Sequence, residues 1–162
     1  MQLIYVLLTM ADSSHPLPSD TPNPLLRLEN QLCFPLYAAS RMLTKAYQPL
    51  LLELGLTYPQ YLVLLLLWEH QELTVKELGE HLLLDSGTLT PLLKRMEQRQ
   101  WLRRRRAPHD ERSVIISLEP AGEALRGPAC RIPEQLLDRL GMPEAEFIAL
   151  RTQLNHLLTR LQ

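Results

Sequence analysis

Apolar residues recur every three or four positions through most of the chain. The pattern covers Leu25 to Glu53, Glu119 to Arg131 and Glu144 to Leu161, and it predicts amphipathic helices there. Tyr58 to Trp68 is apolar nearly all round, which is typical of a helix buried on several sides, and Thr57 is its expected N-cap. The hydrophobic pattern therefore predicts a mostly α protein.

Two short helices are predicted in the middle of the chain. Val75 to Leu83 has one apolar face and one polar face. Asp85-Ser86 then opens a second helix that runs to about Met96, because both residue types accept hydrogen bonds from the free backbone N–H groups of a helix start. The close spacing of the two helices predicts a helix-turn-helix.

After Gln100 the period of the apolar pattern changes to two. Trp101-Leu102 and Val114 to Leu118 are the convincing strands of the sequence, and they flank a polar tip from Ala107 to Arg112. A β-hairpin after a helix-turn-helix indicates a winged helix-turn-helix. The predicted fold is therefore mostly α with a small β-hairpin wing.

The 162 residues predict one compact domain after a short leader. Residues 1–24 combine an apolar start with a Ser-, Pro- and Asp-rich segment and are expected to be disordered or partly ordered. Residues 25–162 form the single domain, in which 55–118 are the winged helix-turn-helix. One small winged module cannot bury the apolar faces of 25–54 and 119–162, so we expect these to be dimerisation helices in a homodimer.

Positive charge is concentrated around the wing, although the chain has a net charge of -1. Eight basic and three acidic residues lie between Lys94 and Arg112. Concentrated basic charge beside a helix rich in hydroxyl groups predicts binding to double-stranded DNA, whereas a solvated, salt-bridged face is the alternative. The expected DNA contacts are Ser86, Thr88, Thr90, Lys94, Arg95, Arg103, Arg104, Arg105, Arg106 and Arg112.

The two cysteines, Cys33 and Cys130, are too few for a secreted disulfide framework and have no metal-ligand spacing. The five histidines are scattered, so we expect neither a metal site nor a cofactor. The apolar residues 1–10 are too short to span a bilayer and have no basic residue before them, so no membrane association is expected. A reducing cytoplasm is the predicted compartment.

Four motifs carry a resemblance to known proteins: Leu28 to Phe34 with Tyr37 and Tyr47, Thr57 to Tyr61, Leu84 to Arg95, and Asp110 to Arg112. In these motifs the chain resembles the MarR-type transcriptional regulators, and within them the organic hydroperoxide resistance regulator branch. The similarity extends from about Leu25 to the end of the chain. The Asp110-Glu111-Arg112 wing is typical of the whole family, whereas Cys33, Tyr37 and Tyr47 together with the run from Asp85 to Arg95 point to the peroxide-sensing branch.

The resemblance implies a dimeric repressor in which Cys33 is the reacting thiol and Tyr37 and Tyr47 donate hydrogen bonds to it across the dimer interface. Thiols react with peroxides as thiolates, which such donors stabilise. Tyr37 lies one helical turn after Cys33, whereas Tyr47 is too far along the helix to reach the thiol of its own chain. The alternative is that Cys33 is an inert buried side chain and the tyrosines are core residues.

Two departures from the family pattern affect this mechanism. Cys130 precedes Pro133 by three residues, whereas the resolving cysteine of disulfide-forming members would fall near Asp138. Oxidation of Cys33 to a sulfenic acid, followed by capping with a small thiol, is therefore the default expectation, and Cys130 as the resolving cysteine remains open. Pro35 requires that the helix either starts near Cys33 or bends there.

The predicted function is that of a repressor, not an enzyme, that leaves its operator when an organic hydroperoxide oxidises Cys33. One alternative is a MarR-type repressor released by a small aromatic ligand. Another is a thiol peroxidase, which is disfavoured because the sequence has no Cys-x-x-Cys motif and no thioredoxin-like βαβ pattern.

Overall fold

The computed structural model describes residues 23–108 and 110–162. The predicted leader, residues 1–24, lies outside the described residues except for Asn23 and Pro24. The chain divides into two compact units, Met1–Ser40 and Arg41–Gln162.

The first unit contains two short 3-10 helices and the start of a long α-helix. The 3-10 helices are Pro24–Leu26 and Leu28–Asn30, and the α-helix, α1, is Cys33–Leu52. Of the two alternatives that Pro35 left open for the amphipathic pattern from Leu25 to Glu53, the helix therefore follows the first and begins at Cys33. Pro35 is the third residue of α1, where its missing N–H costs little because the first N–H groups of a helix have no partner within it.

The second unit contains the winged module. Its elements are α2 (Tyr58–His70), β1 (Glu72–Thr74), α3 (Val75–Leu82), α4 (Ser86–Gln98), β2 (Leu102–Ala107) and β3 (Asp110–Leu118). The strands form an antiparallel sheet in the order β1-β3-β2. The winged helix-turn-helix prediction is confirmed, and both hairpin strands are longer than predicted. Strand β1 was missed, because three residues are too few to show a period.

Side-chain caps fix where these helices begin. The Thr57 N–H donates to Gln60 Oε1 at 2.8 Å, which completes a capping box at the start of α2 and confirms Thr57 as its N-cap. Thr74 and Glu77 form a second box at α3. The Thr88 N–H donates to Asp85 Oδ1 at 3.0 Å, so α4 begins where the sequence predicted. Pro91 is the sixth residue of α4 and therefore lies in the second turn of this helix, beyond the first turn in which proline is most easily accommodated.

The core lies between α2, α3, α4 and the base of the sheet. Leu64 and Leu67 of α2, Leu78 of α3, Leu93 of α4 and Ile116 of β3 are fully buried in it. These residues come from the apolar faces that the helical spacing identified. The packing therefore holds the polar faces of α3 and α4 toward solvent.

The carboxyl-terminal part is more broken than predicted. The expected helix from Glu119 to Arg131 consists of two four-residue helices, α5 (Pro120–Glu123) and α6 (Arg126–Ala129), and α7 (Ile132–Leu140) follows. Glycines and prolines between residues 120 and 133 disfavour one continuous helix.

The last helix, α8 (Glu144–Leu161), begins and ends as predicted and has no buried residue. Its exposed apolar side chains are Ile148, Leu150, Leu154, Leu158 and Leu161. Within the described part of the chain, no helix is both long enough and apolar enough to cross a bilayer.

A candidate DNA interface and a candidate redox helix

Helix α4 separates its polar and apolar residues by face. Leu89, Leu92, Leu93 and Met96 are buried. The predicted contact residues Ser86, Thr88, Thr90, Lys94 and Arg95 are all exposed. This arrangement is required of a recognition helix that packs on one side and enters the major groove on the other.

Local hydrogen bonds use the hydroxyl hydrogens of two threonines of α4. Thr88 Oγ1 donates to Asp85 Oδ2 at 2.8 Å, and Thr90 Oγ1 donates to the Ser86 carbonyl at 2.7 Å. The hydroxyl oxygens can still accept hydrogen bonds, which fits the amino groups of adenine and cytosine better than phosphates. The hydrogen bond from the Thr88 hydroxyl, followed by that from its N–H, lowers the pKa of Asp85, so this carboxylate stays charged at the start of the helix.

Three of the four successive arginines form ion pairs within the chain. Arg103 lies 3.4 Å from Glu119, Arg104 lies 3.8 Å from Glu97, and Arg105 lies 2.9 Å from Glu72. The glutamates come from three different parts of the second unit. The predicted run of phosphate contacts is therefore also part of the structural framework of the wing.

Arg106 and Arg112 differ from these three arginines. Both are exposed, and neither forms an ion pair with any side chain that the structure describes. Asp110 Oδ1 accepts the backbone N–H of Arg112 at 3.0 Å, which shapes the tip of the wing. The exposed positive charge of the wing is thus placed at its outer end.

A basic cleft of about 590 Å³ lies between α3, α4 and the wing. It brings together Ser86, Thr90, Arg104 and Arg112, which the sequence predicted as DNA contacts, and adds Lys76 of α3. Lys76 is exposed and 3.8 Å from Glu80. Sequence reasoning placed it only on the polar face of α3, and its closeness to the wing depends on tertiary packing.

Cys33 is the first residue of α1, and its thiol is exposed. Tyr37 follows one turn later with 59% of its surface exposed, and Leu32 and Phe34 are exposed beside it. Within a single chain, Cys33 is therefore not a core residue.

Tyr47 belongs to a cluster of three tyrosines in the second unit. Its ring centroid lies 5.1 Å from that of Tyr58 and 6.0 Å from that of Tyr61. Burial, and then the two neighbouring phenols, raise the pKa of Tyr47 to about 12. The phenol therefore keeps its proton at neutral pH and can act as a hydrogen-bond donor. Tyr58 and Tyr61 were not predicted as site residues, although both lie in the Thr57 to Tyr61 motif.

Cys130 lies at the end of α6, and its Sγ donates to the Arg126 carbonyl at 3.3 Å. It is exposed and lines an apolar groove with Tyr61, Trp68 and Pro133. Burial is the main cause of the raised pKa of Tyr61, and Cys130 is a minor one. Among the described residues, no three His, Cys, Asp or Glu side chains are grouped so that they could hold a metal ion.

The helix-turn-helix, its basic cleft and its charged wing tip together define the class of winged-helix proteins built to hold duplex DNA. The sequence profile of the MarR family matches residues 56–114. The chain is 54% identical over 136 residues to the organic hydroperoxide resistance transcriptional regulator of Bacillus subtilis, an alignment that covers 84% of this chain and 92% of the relative. The chain belongs to the MarR family.

Solved structures agree with this assignment. Reduced AbfR bound to DNA has a TM-score of 0.67 and 40% identity, covering 83% of this chain and 94% of that one. Overoxidized AbfR bound to DNA has the same TM-score and identity, covering 84% and 96%. AbfR comes from Staphylococcus epidermidis. The fold prediction is confirmed by these similarities.

Proposed function

We propose that the chain is a cytoplasmic DNA-binding repressor that senses organic hydroperoxides through Cys33 and then releases its operator. The observation that carries the proposal is the exposed thiol at the first position of α1, with a tyrosine one turn away. The name of the Bacillus subtilis relative supports the response to organic hydroperoxides, and the DNA-bound structures of AbfR support the binding of DNA.

A homodimer accounts for the uncovered apolar surfaces. Helix α8 buries no residue within its own chain, and Leu26 and Leu32 near the start of α1 are 82% and 67% exposed. A second copy would cover such faces and would bring Tyr47 of the partner to Cys33, which one chain cannot do along a single helix. The two α4 helices of the dimer would then enter successive major grooves.

The chemical step is a two-electron oxidation of one sulfur. The Cys33 thiolate attacks the peroxide oxygen farther from the organic group, the O–O bond breaks, and the alkoxide leaves as an alcohol after it takes up a proton. The product is a sulfenic acid, which a small cellular thiol converts to a mixed disulfide with loss of water. In this step each thiol reacts with one peroxide equivalent, as we expect of a sensor and not of an enzyme.

The oxidised sulfur loses its hydrogen bonds to Tyr37 and Tyr47. A bulky mixed disulfide cannot occupy the place of a thiolate, so the subunits rotate and α4 no longer matches the spacing of the half-sites. A weakening of operator binding by a few kcal/mol is enough for release, because about 1.4 kcal/mol corresponds to a factor of ten.

The test is a gel shift on the upstream DNA of the gene itself, with and without an organic hydroperoxide in the presence of a stoichiometric small thiol, followed by excess reductant. The matched variants are Cys33→Ser and Cys130→Ser. Wild type and Cys130→Ser should bind DNA, leave it after peroxide and return after reduction, whereas Cys33→Ser should stay bound. Release of Cys33→Ser by peroxide would refute the sensor role, and loss of response in Cys130→Ser would show that Cys130 resolves the oxidised thiol. Continuous peroxide consumption with excess reductant would identify a peroxidase instead.

A further inference from the structure

We propose that Glu97 is a positioning residue that sets the orientation of the wing relative to the recognition helix α4, and thereby supports DNA binding. The inference rests on the proposed DNA-binding function. It assigns a favourable role to an acidic residue that, by charge alone, should oppose binding to a polyanion.

The carboxylate of Glu97 joins two elements through both of its oxygens. Oε1 accepts the backbone N–H of Arg104 at 2.9 Å, and Oε2 lies 3.8 Å from Arg104 Nη1. Glu97 is the last residue but one of α4, and Arg104 is in the middle of β2. The pair therefore ties the carboxyl end of the recognition helix to the wing.

The position of β2 in the sheet explains why this contact matters. Strand β2 lies at an edge of the sheet, so one row of its backbone N–H groups has no neighbouring strand. Glu97 satisfies one such N–H, that of Arg104, with a charged acceptor, which is stronger than a neutral one. The Arg104 side chain is only 23% exposed, so the pair is held in place on the side of the wing that faces α4.

The other two ion pairs of β2 do not connect this strand to α4. Arg103 pairs with Glu119, just after β3, and Arg105 pairs with Glu72 of β1. Both hold β2 to its own sheet. Of the three pairs, only the one with Glu97 reaches α4, which makes Glu97 the residue that relates the two DNA-contacting elements.

Two substitutions at Glu97 separate positioning from charge. Glu97→Gln removes the negative charge but keeps an oxygen that can accept the Arg104 N–H, whereas Glu97→Ala removes both. If charge were the whole effect, both variants would bind DNA more tightly than wild type. If positioning dominates, Glu97→Gln should bind at least as tightly as wild type and Glu97→Ala should bind more weakly.

The experiment measures the affinity of the reduced full-length protein for its upstream DNA over a range of salt concentrations. We expect Glu97→Ala to bind at least ~5-fold more weakly, with a salt dependence shallower by about 1 for each wing phosphate contact that is lost. Glu72→Ala is the matched control, since it frees a wing arginine without touching α4, and it should bind as tightly as wild type or more tightly. Circular dichroism and the active fraction from stoichiometric titration identify any unfolded protein, which would lower the active fraction without changing the slope.

The results distinguish a failure of the positioning role from a failure of the proposed DNA-binding function. Glu97→Ala that binds like wild type with an unchanged slope, or that matches Glu97→Gln, overturns the positioning role alone. A wild-type protein that binds no upstream DNA at any salt concentration overturns the proposed function and this inference with it.

Discussion

Gly122 in α5 is predicted to be the least replaceable glycine of the described chain. A Cβ atom built there would overlap the Trp101 carbonyl oxygen and would lie 2.9 Å from Leu118 Cδ1. The carbonyl oxygen cannot move away freely, because it accepts the Glu119 N–H at 3.0 Å. Gly122→Ala must therefore push α5 away from the base of the wing.

That displacement has a second consequence. The buried Trp68 Nε1 donates to the Gly122 carbonyl at 3.1 Å, so α5 carries the partner of this indole with it. Overpacking costs about 1–3 kcal/mol, and a weakened buried hydrogen bond about 1 kcal/mol more. The expected loss of unfolding free energy is about 2–4 kcal/mol, which corresponds to a fall in Tm of roughly 5–15 °C for a chain of this size.

Gly127→Ala is the matched control. Nothing lies within 4 Å of a Cβ built at Gly127 in α6, and alanine favours a helix by about 0.5–1 kcal/mol over glycine. Both variants would be unfolded in urea, in reductant and at one protein concentration, with circular dichroism as the signal. A Gly122→Ala protein within about 0.5 kcal/mol of wild type, the range of a neutral surface substitution, would refute the packing argument. Equal losses in both variants would refute it as well.

Three further predictions follow from the wing, the tyrosine cluster and a helix cap. Arg106→Ala removes one exposed charge from each subunit of the dimer, so it should make the salt dependence of DNA binding shallower by about 2. Arg105→Ala should leave the salt dependence near wild type because Arg105 is paired. The absorbance of tyrosinate should show one phenol that titrates at about pH 12, and this signal should be absent in Tyr47→Phe. Because the pKa of Tyr47 is raised in the folded protein, the contribution of this phenol to stability is present below the unfolded pKa. This contribution is lost as the pH rises through 12. Thr74→Ala should lose about 1 kcal/mol in urea unfolding at neutral pH. The hydrogen bonds from Thr74 lower the pKa of Glu77, so the difference should shrink as the pH falls through that lowered value.

The features that sequence predicted well are those with a local signal. Helix α8 has a long apolar stripe and begins after Pro143, and α4 has an Asp85 cap, so both were predicted at the right place. The apolar pattern was misleading where it continued through residues that disfavour a helix. The apolar residues between Glu119 and Arg131 keep a helical spacing, but glycines and prolines in the same segment disfavour a continuous helix. The expected helix is therefore divided into two.

The tyrosine cluster shows why part of the site could not be predicted from the sequence. Tyr58 and Tyr61 lie one turn apart at the start of α2, as its sequence implies, but Tyr47 comes from α1. Their rings meet because two helices pack, and no spacing in one segment encodes that contact. The raised pKa of Tyr47 is a property of this packing and is equally invisible in the sequence.

Long-range contacts of the same kind decide which basic residues form ion pairs within the chain and which remain exposed. Of the eight between Lys94 and Arg112, three form the ion pairs of β2, and Arg99 stacks 5.0 Å over the Trp101 ring and donates to the Gly55 carbonyl at 3.3 Å. Four remain exposed without an ion pair to any described side chain: Lys94, Arg95, Arg106 and Arg112. A dimer would then present eight such charges to DNA, which predicts a salt slope of about -7, and not the value of about -14 that sixteen charges would give. Half of the basic residues between Lys94 and Arg112 thus supply the exposed charge, because the other half are engaged in contacts within the chain that stabilise the wing and its surroundings.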